Sequence, residues 1–149
     1  MMTVQSPATP TEWAAYYQLR YEVLRQPWQQ PPGSEIADDD AASTTTHALL
    51  LAPDGQALGV GRLHPSGAGQ GQLRFMAVAP AAQGQGVGRR ILAFLETAAR
   101  RQRLRELVLH AREEAVPFYE RLGYTVVAPS HLLFGVIPHF LMRKQLPDE

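Results

Sequence analysis

A chain of 149 residues that is 45% hydrophobic has the length and apolar content of one ordinary domain, and residues 1–149 are expected to fold as a single unit. Fourteen basic residues balance fourteen acidic ones, so no global field draws the protein to nucleic acid or to an anionic membrane, and any polyanion site must be local. The lack of cysteine excludes a disulfide framework, a thiolate zinc site and a cysteine nucleophile, and no metal is expected.

In chain order, the first element opens at Thr9-Pro10-Thr11-Glu12, where Thr9 can cap, Pro10 suits the first helical position and Glu12 completes a capping box. Trp13, Tyr16, Tyr17, Arg20, Val23 and Leu24 recur at helical spacing until Pro27, which predicts a helix over about residues 10–26. Residues 27–46 show no sustained period, and so long a connection is a candidate lid. His47–Ala52 and Gln56–His64, around the turn Pro53-Asp54-Gly55, predict an antiparallel hairpin. Ser66–Gly71 reads as a flexible connection, followed by a strand over Gln72–Val78. Ile91, Leu92, Leu95, Ala98 and Ala99 form an apolar stripe, which predicts an amphipathic helix over residues 87–103. The apolar run Leu107–His110 predicts a buried strand, Glu114–Leu122 a helix stopped by Gly123, and Tyr124–Ala128 with Ile137–Leu146 the last two strands. This order describes an α/β or α+β domain with a mixed sheet. No apolar run approaches the roughly 20 residues that span a bilayer, and no leader pattern opens the chain, so a cytoplasmic protein without membrane partners is expected.

The segment between the strand ending at Val78 and the helix beginning near Val87 is rich in glycine. Its glycines permit a tight turn with backbone N–H groups pointing inward, and the helix N-terminus adds about half a positive charge, which together make an anion site. A Walker loop fails, because Gly88 is followed by Arg89-Arg90 rather than by Lys and a hydroxyl residue. A dinucleotide fingerprint fails as well, since G-x-G-x-G here follows at least two earlier strands and has no acidic residue in the required strand context. A loop that only packs helix on strand stays open at this point.

Gln83-Gly84-Gln85-Gly86-Val87-Gly88 matches the Q/R-x-x-G-x-G/A signature of the GNAT superfamily of acyl-CoA N-acyltransferases, and Val78-Ala79-Pro80 matches that family's strand end. Ala115-Val116-Pro117-Phe118-Tyr119-Glu120-Arg121-Leu122-Gly123-Tyr124 resembles its A-x-x-F-Y-x-x-x-G-F/Y block, so that the resemblance covers about residues 72–124 at motif level. The tail Ile137-Pro138-His139-Phe140-Leu141-Met142 is similar to the I-P-H-x-x-M ending of the ElaA-like branch. The resemblance implies a mixed, mostly antiparallel central sheet with helices on both faces. It also implies transfer of an acetyl group from acetyl-CoA to a primary amine of a small molecule or peptide; the alternative is a non-catalytic CoA-binding module of the same fold. A homodimer is compatible with it.

Carried over residue by residue, the resemblance assigns the donor to the strand end Met76, Ala77 and Val78, with the Met76 N–H facing the thioester carbonyl as an oxyanion donor. The pyrophosphate falls to Gln83, Gly84, Gln85, Gly86, Val87, Gly88 and Arg89, with Arg89 or Arg90 a candidate for the 3′-phosphate. Tyr119 matches the tyrosine that protonates the departing thiolate, while Phe118 packs. Two departures stand out. Gln72 occupies the position where histone-acetylating members carry a glutamate base, which leaves His64, His110 and His139 as candidate bases. Arg112 stands where the family often has asparagine. Glu35, Asp38, Asp39 and Asp40 lie where members build the acceptor side, which suits a cationic amine; a solvated charge run stays open, and the identity of the acceptor does not follow.

Overall fold

The computed structural model describes residues 3–147. Strand β1 (Val4–Gln5) precedes helix α1 (Pro10–Leu24), whose capping box forms as expected: Glu12 N–H donates to Thr9 Oγ1 at 3.1 Å and Thr9 N–H to Glu12 Oε1 at 3.2 Å. The helix stops at Leu24, two residues short of the expected 26, because a 3-10 turn over Gln26–Trp28 takes up Pro27.

Strands β2 (Thr46–Leu51) and β3 (Ala57–Gly67) form the expected hairpin. Strand β4 (Gln70–Val78) follows after only two residues, so Ser66–Gly71 is not a flexible connection. Its glycines serve close packing and the turn: Gly69 has φ +71°, and a Cβ at Gly71 would lie 2.8 Å from Leu104 and 2.9 Å from Leu63. Helix α2 (Val87–Arg101), β5 (Glu106–Arg112), a short α3 (Val116–Arg121), β6 (Thr125–Leu133) and β7 (Ile137–Gln145) complete the chain. Gly123, at φ +97°, ends α3 as expected.

The seven strands make one sheet in the order β1-β2-β3-β4-β5-β7-β6, antiparallel throughout except for β4 with β5. Helix α2 is the crossover that lets those two run parallel. Side chains alternate across the strands, so Val60 packs under α1 with Tyr16, Leu19 and Leu24, while its neighbour Gly61 faces α2. A Cβ at Gly61 would meet Met76 Sδ at 2.5 Å, and one at Gly59 would meet Val87 at 2.5 Å, so two glycines let α2 press onto β3. The larger core, with Leu63, Leu73, Ile91, Leu95, Leu107, Tyr119, Tyr124 and Met142, lies on that face. Helices therefore cover both faces. Among the described residues no helix is long and apolar enough to cross a membrane.

Two irregularities shape the site. The parallel pairing of β4 with β5 lasts for three residue pairs, Gln70 with Glu106, Gly71 with Leu107 and Gln72 with Val108, after which the two strands no longer pair each other, β4 staying bonded to β3 and β5 to β7. On its other side β4 carries a bulge: Arg74 pairs Arg62 and Ala77 pairs Val60, so Phe75 and Met76 stand opposite Gly61 alone. Phe75 adopts φ +57°, a left-handed conformation that is costly for an aromatic side chain and held here by its surroundings. The outer strand β6 is irregular too, with register shifts at Val126/Ala128 and Pro129/Leu132.

Candidate active site

The glycine loop begins with a 3-10 turn, Pro80–Ala82, and leads into α2 through Gly84 at φ +76° and Gly86 at φ +78°. Gly86 is the N-cap and offers no side chain, so the first N–H groups of α2 receive no side-chain cap. Gln83 Nε2 donates to the Val78 carbonyl at 3.3 Å and Gln85 Nε2 to the Ala81 carbonyl at 3.2 Å, which leaves the loop exposed and tied back on itself. Gly88 has a different role from the other two: it lies inside α2, where a Cβ would stand 3.1 Å from the Phe118 ring. Val87 is buried toward Gly59, and Arg89 is exposed.

The loop sits at the open end of the unpaired stretch. Met76 turns its sulfur onto Gly61 and Ala77 is buried against the α1 side, so what this part of β4 presents to the gap is backbone. Tyr119 joins the core to which Met76 and Val78 also pack. It is 6% exposed, with its ring edge-on to Phe118 at 5.0 Å and to Tyr124 at 5.7 Å. Its hydroxyl makes no hydrogen bond to a described residue. Burial pushes the phenol well above its ordinary pKa, Arg112 opposing slightly, and the group keeps its proton throughout the physiological range.

The acidic run is committed elsewhere. Asp40 receives Arg20 Nη1 at 2.7 Å and Arg62 Nη1 at 2.8 Å, and Arg62 also bonds Asp39 at 2.6 and 3.0 Å; both guanidinium groups are 0% exposed. His47 Nε2 lies 2.8 Å from the Asp40 carbonyl, which makes Nε2 the donor and Nδ1 the acceptor of the Tyr16 hydroxyl at 2.7 Å. Tyr17 adds a hydrogen bond to Asp40 at 2.9 Å. The 27–46 segment is thus pinned to α1 and β3 by a buried polar network. Asp39 and Asp40 neutralise arginines of this chain, which corrects the expectation that they wait for a cationic acceptor.

The candidate bases separate. His64 Nδ1 accepts from Arg62 Nη2 at 2.9 Å, so a proton there would face a guanidinium. His110, on the part of β5 that no longer pairs β4, is exposed and 5.3 Å from His131, which stacks on the buried His139 at 4.5 Å. His131 was missed by sequence reasoning, since nothing local marks a β6 residue as the neighbour of β5 and β7. Among the described residues no group of His, Asp or Glu could hold a metal ion.

Burial disfavours protonation of His47, His64, His110 and His139, and His131 adds repulsion at the last two. Their folded pKa values lie below the unfolded value of about 6.5, so below that pH the unfolded chain binds more protons and gains on the folded one. Stability is expected to be full above about pH 6.5 and to fall as pH drops below it. The carboxyl of Asp39, bonded to Arg62, is depressed. So is that of Asp40, where burial is outweighed by the Ala37 N–H and by Arg62 and Arg20. Their contribution is lost only below about pH 3.8. Thermal unfolding from pH 8 to 5 tests the histidine window, and a Tm that stays level across it would contradict the assignment.

The glycine loop thus follows the stretch over which two parallel strands part. The acetyltransferase (GNAT) domain family model matches residues 27–146, and the chain belongs to that family. The uncharacterized N-acetyltransferase YjcF of Bacillus subtilis is 33% identical over 131 residues, covering 87% of this chain and 89% of that protein. The crystal structure of an acyl-CoA N-acyltransferase from Pseudomonas aeruginosa superposes with a TM-score of 0.80 at 29% identity, covering 97% of this chain and 98% of that one. Escherichia coli ElaA shares the fold, with a TM-score of 0.79 at 22% identity over 97% of this chain and 99% of its own. The chain is an acyl-CoA-dependent N-acetyltransferase acting on an amine.

Proposed function

We propose that the donor is acetyl-CoA, bound with its pyrophosphate on the amides of Gly84–Gly88 and its pantetheine along Met76, Ala77 and Val78, and that Tyr119 and the Met76 N–H carry the chemistry. The observation that carries the proposal is the end of β4–β5 pairing at Gln72 and Val108, which frees the edge of β4 from there to Val78, where the loop with the positive-φ glycines begins. An unpaired strand backbone offers amide groups to an amide-containing ligand, and an uncapped helix start offers N–H groups to an anion.

The amine nitrogen attacks the thioester carbonyl carbon, and the oxygen, taking up negative charge, is met by the Met76 N–H. The carbon–sulfur bond then breaks, Tyr119 gives its proton to the sulfur, and the second proton that the attacking nitrogen loses on becoming an amide restores the phenol, directly or through water. An amine with a pKa near 10.4 must first shed a proton. His110 takes it, directly or through water: it is neutral at pH 7 and lies two residues past the last β4–β5 pair, whereas His64 is spent on Arg62.

Gly86→Val tests the donor site. Space is open around this glycine, the nearest atom to an added Cβ being Arg89 Nη2 at 3.8 Å, the far end of a flexible side chain. The valine would stand over the amides and force a branched residue into φ > 0, costing roughly 1–2 kcal/mol. CoA affinity measured by calorimetry is expected to fall at least about tenfold with the fold retained; unchanged affinity would sink the loop assignment.

A further inference from the structure

Three guanidinium groups at the acceptor end of the split lack a carboxylate partner. Arg25 caps the end of α1, Arg74 lies on β4 and Arg112 closes β5; none forms an ion pair among the described residues, in contrast to Arg20 and Arg62. They surround one aromatic patch. Arg74 lies 4.5 Å and Arg25 5.6 Å from the centre of the Phe75 ring, Arg25 also lies 5.6 Å from Phe134, and Arg112 stands 4.4 Å over Trp28, itself 6.3 Å from Phe134.

The charges oppose one another. Burial and the neighbours Arg74, Arg20 and Arg112 all disfavour the Arg25 cation, with Glu35 opposing; burial disfavours the Arg112 cation, with Glu114 opposing, and burial, Arg62 and Arg20 disfavour that of Arg74, with Asp39 and Asp40 opposing. Arginine does not relieve such repulsion by losing its proton, so the cluster stays charged and an incoming anion removes the repulsion. Its position fits an acceptor better than a donor phosphate. Arg74 precedes Met76 by two residues, while the glycine loop begins beyond Val78 at the opposite end of the unpaired stretch.

We infer that the amine acceptor of this enzyme carries an anionic group, a carboxylate or a phosphate, seated among Arg25, Arg74 and Arg112 with its apolar part against Trp28 and Phe134. The inference rests on the acyltransferase mechanism above and reverses the cationic acceptor expected from the acidic run.

The test measures thiol release from acetyl-CoA with amines in matched pairs: L-amino acids against their carboxamides, phosphoethanolamine against ethanolamine, and spermidine as the polycation. Calorimetric binding of each amine to the CoA-loaded protein accompanies it. Charge-assisted pairing of this kind is expected to favour the anionic member by about 10- to 100-fold in kcat/KM. The two anionic arms tell carboxylate from phosphate. Arg74→Gln, at an exposed position, should erase most of the preference with CoA affinity unchanged, and Arg74→Glu should turn it toward the neutral member. The inference is overturned if spermidine or the neutral members do as well as the anionic ones. It is also overturned if no anionic amine reacts or binds, or if Arg74→Gln weakens CoA instead. Failure of the acyltransferase mechanism itself is a separate result, seen as absence of CoA binding to the unaltered protein.

Discussion

Tyr119→Phe is expected to slow acetyl transfer by about 10²- to 10⁴-fold, nearer the lower end because a thiol leaves fairly well, while CoA affinity and the melting temperature stay within error. The geometry makes this substitution unusually clean. The ring is held edge-on by Phe118 and Tyr124, contacts that phenylalanine keeps, and the hydroxyl has no protein partner among the described residues whose loss would register as instability. Burial keeps the phenol protonated, so the wild-type group is a donor throughout the physiological range. Loss of kcat without loss of binding marks an interaction made in the transition state. Full turnover in the phenylalanine variant, in an assay limited by chemistry, would reduce Tyr119 to a packing residue.

Asp40→Asn should have the largest effect on stability. The carboxylate stands between Arg20 and Arg62, both fully buried, and removing its charge leaves two guanidinium groups with Asp39 as the one remaining counterion. Breaking a buried pair from one side costs about 3–5 kcal/mol, since the surviving charge stays desolvated. The Nε atoms of Arg20 and Arg62 already lack partners, so the network has no spare acceptor to offer. Urea unfolding should show the loss as a lower midpoint, with exposed Asp38→Asn as the control near wild type. Normal stability in Asp40→Asn, with only the KM of the amine changed, would return Asp40 to the acceptor site.

What could be read from the sequence was what is local. The capping box spans Thr9 to Glu12, and the glycine loop and the Tyr119 block each carry their pattern within about a dozen residues, so their positions and element types followed directly. The order of strands and helices followed as well, apart from β1, two residues too short to leave a pattern. The acceptor side did not, because its contacts join residues far apart: Arg62 meets Asp39 across 23 positions, Arg112 meets Trp28, and His131 reaches His110 only through the return of β6 along β7. A run of four acids in a loop looks solvated or substrate-facing until the arginines that neutralise two of them are placed. The Phe75 bulge was equally hidden, since propensity would put glycine or asparagine at φ > 0, and the guanidinium groups of Arg20 and Arg74 that pack on the ring come from distant positions or the same strand.

The margins of the sheet govern how the molecule meets its own copies. An open edge is a template on which another chain can lengthen the ladder, and this sheet closes off both ends differently. At one end β1 is two residues long, too short to seed an added strand. At the other, β6 exposes Val126, Val127 and Leu132, an invitation to fibrillar growth in a flat strand, but its two slips in register bend it and Pro129 withholds an amide hydrogen from the ladder. Both features oppose growth of the ladder by strand addition at the β6 margin.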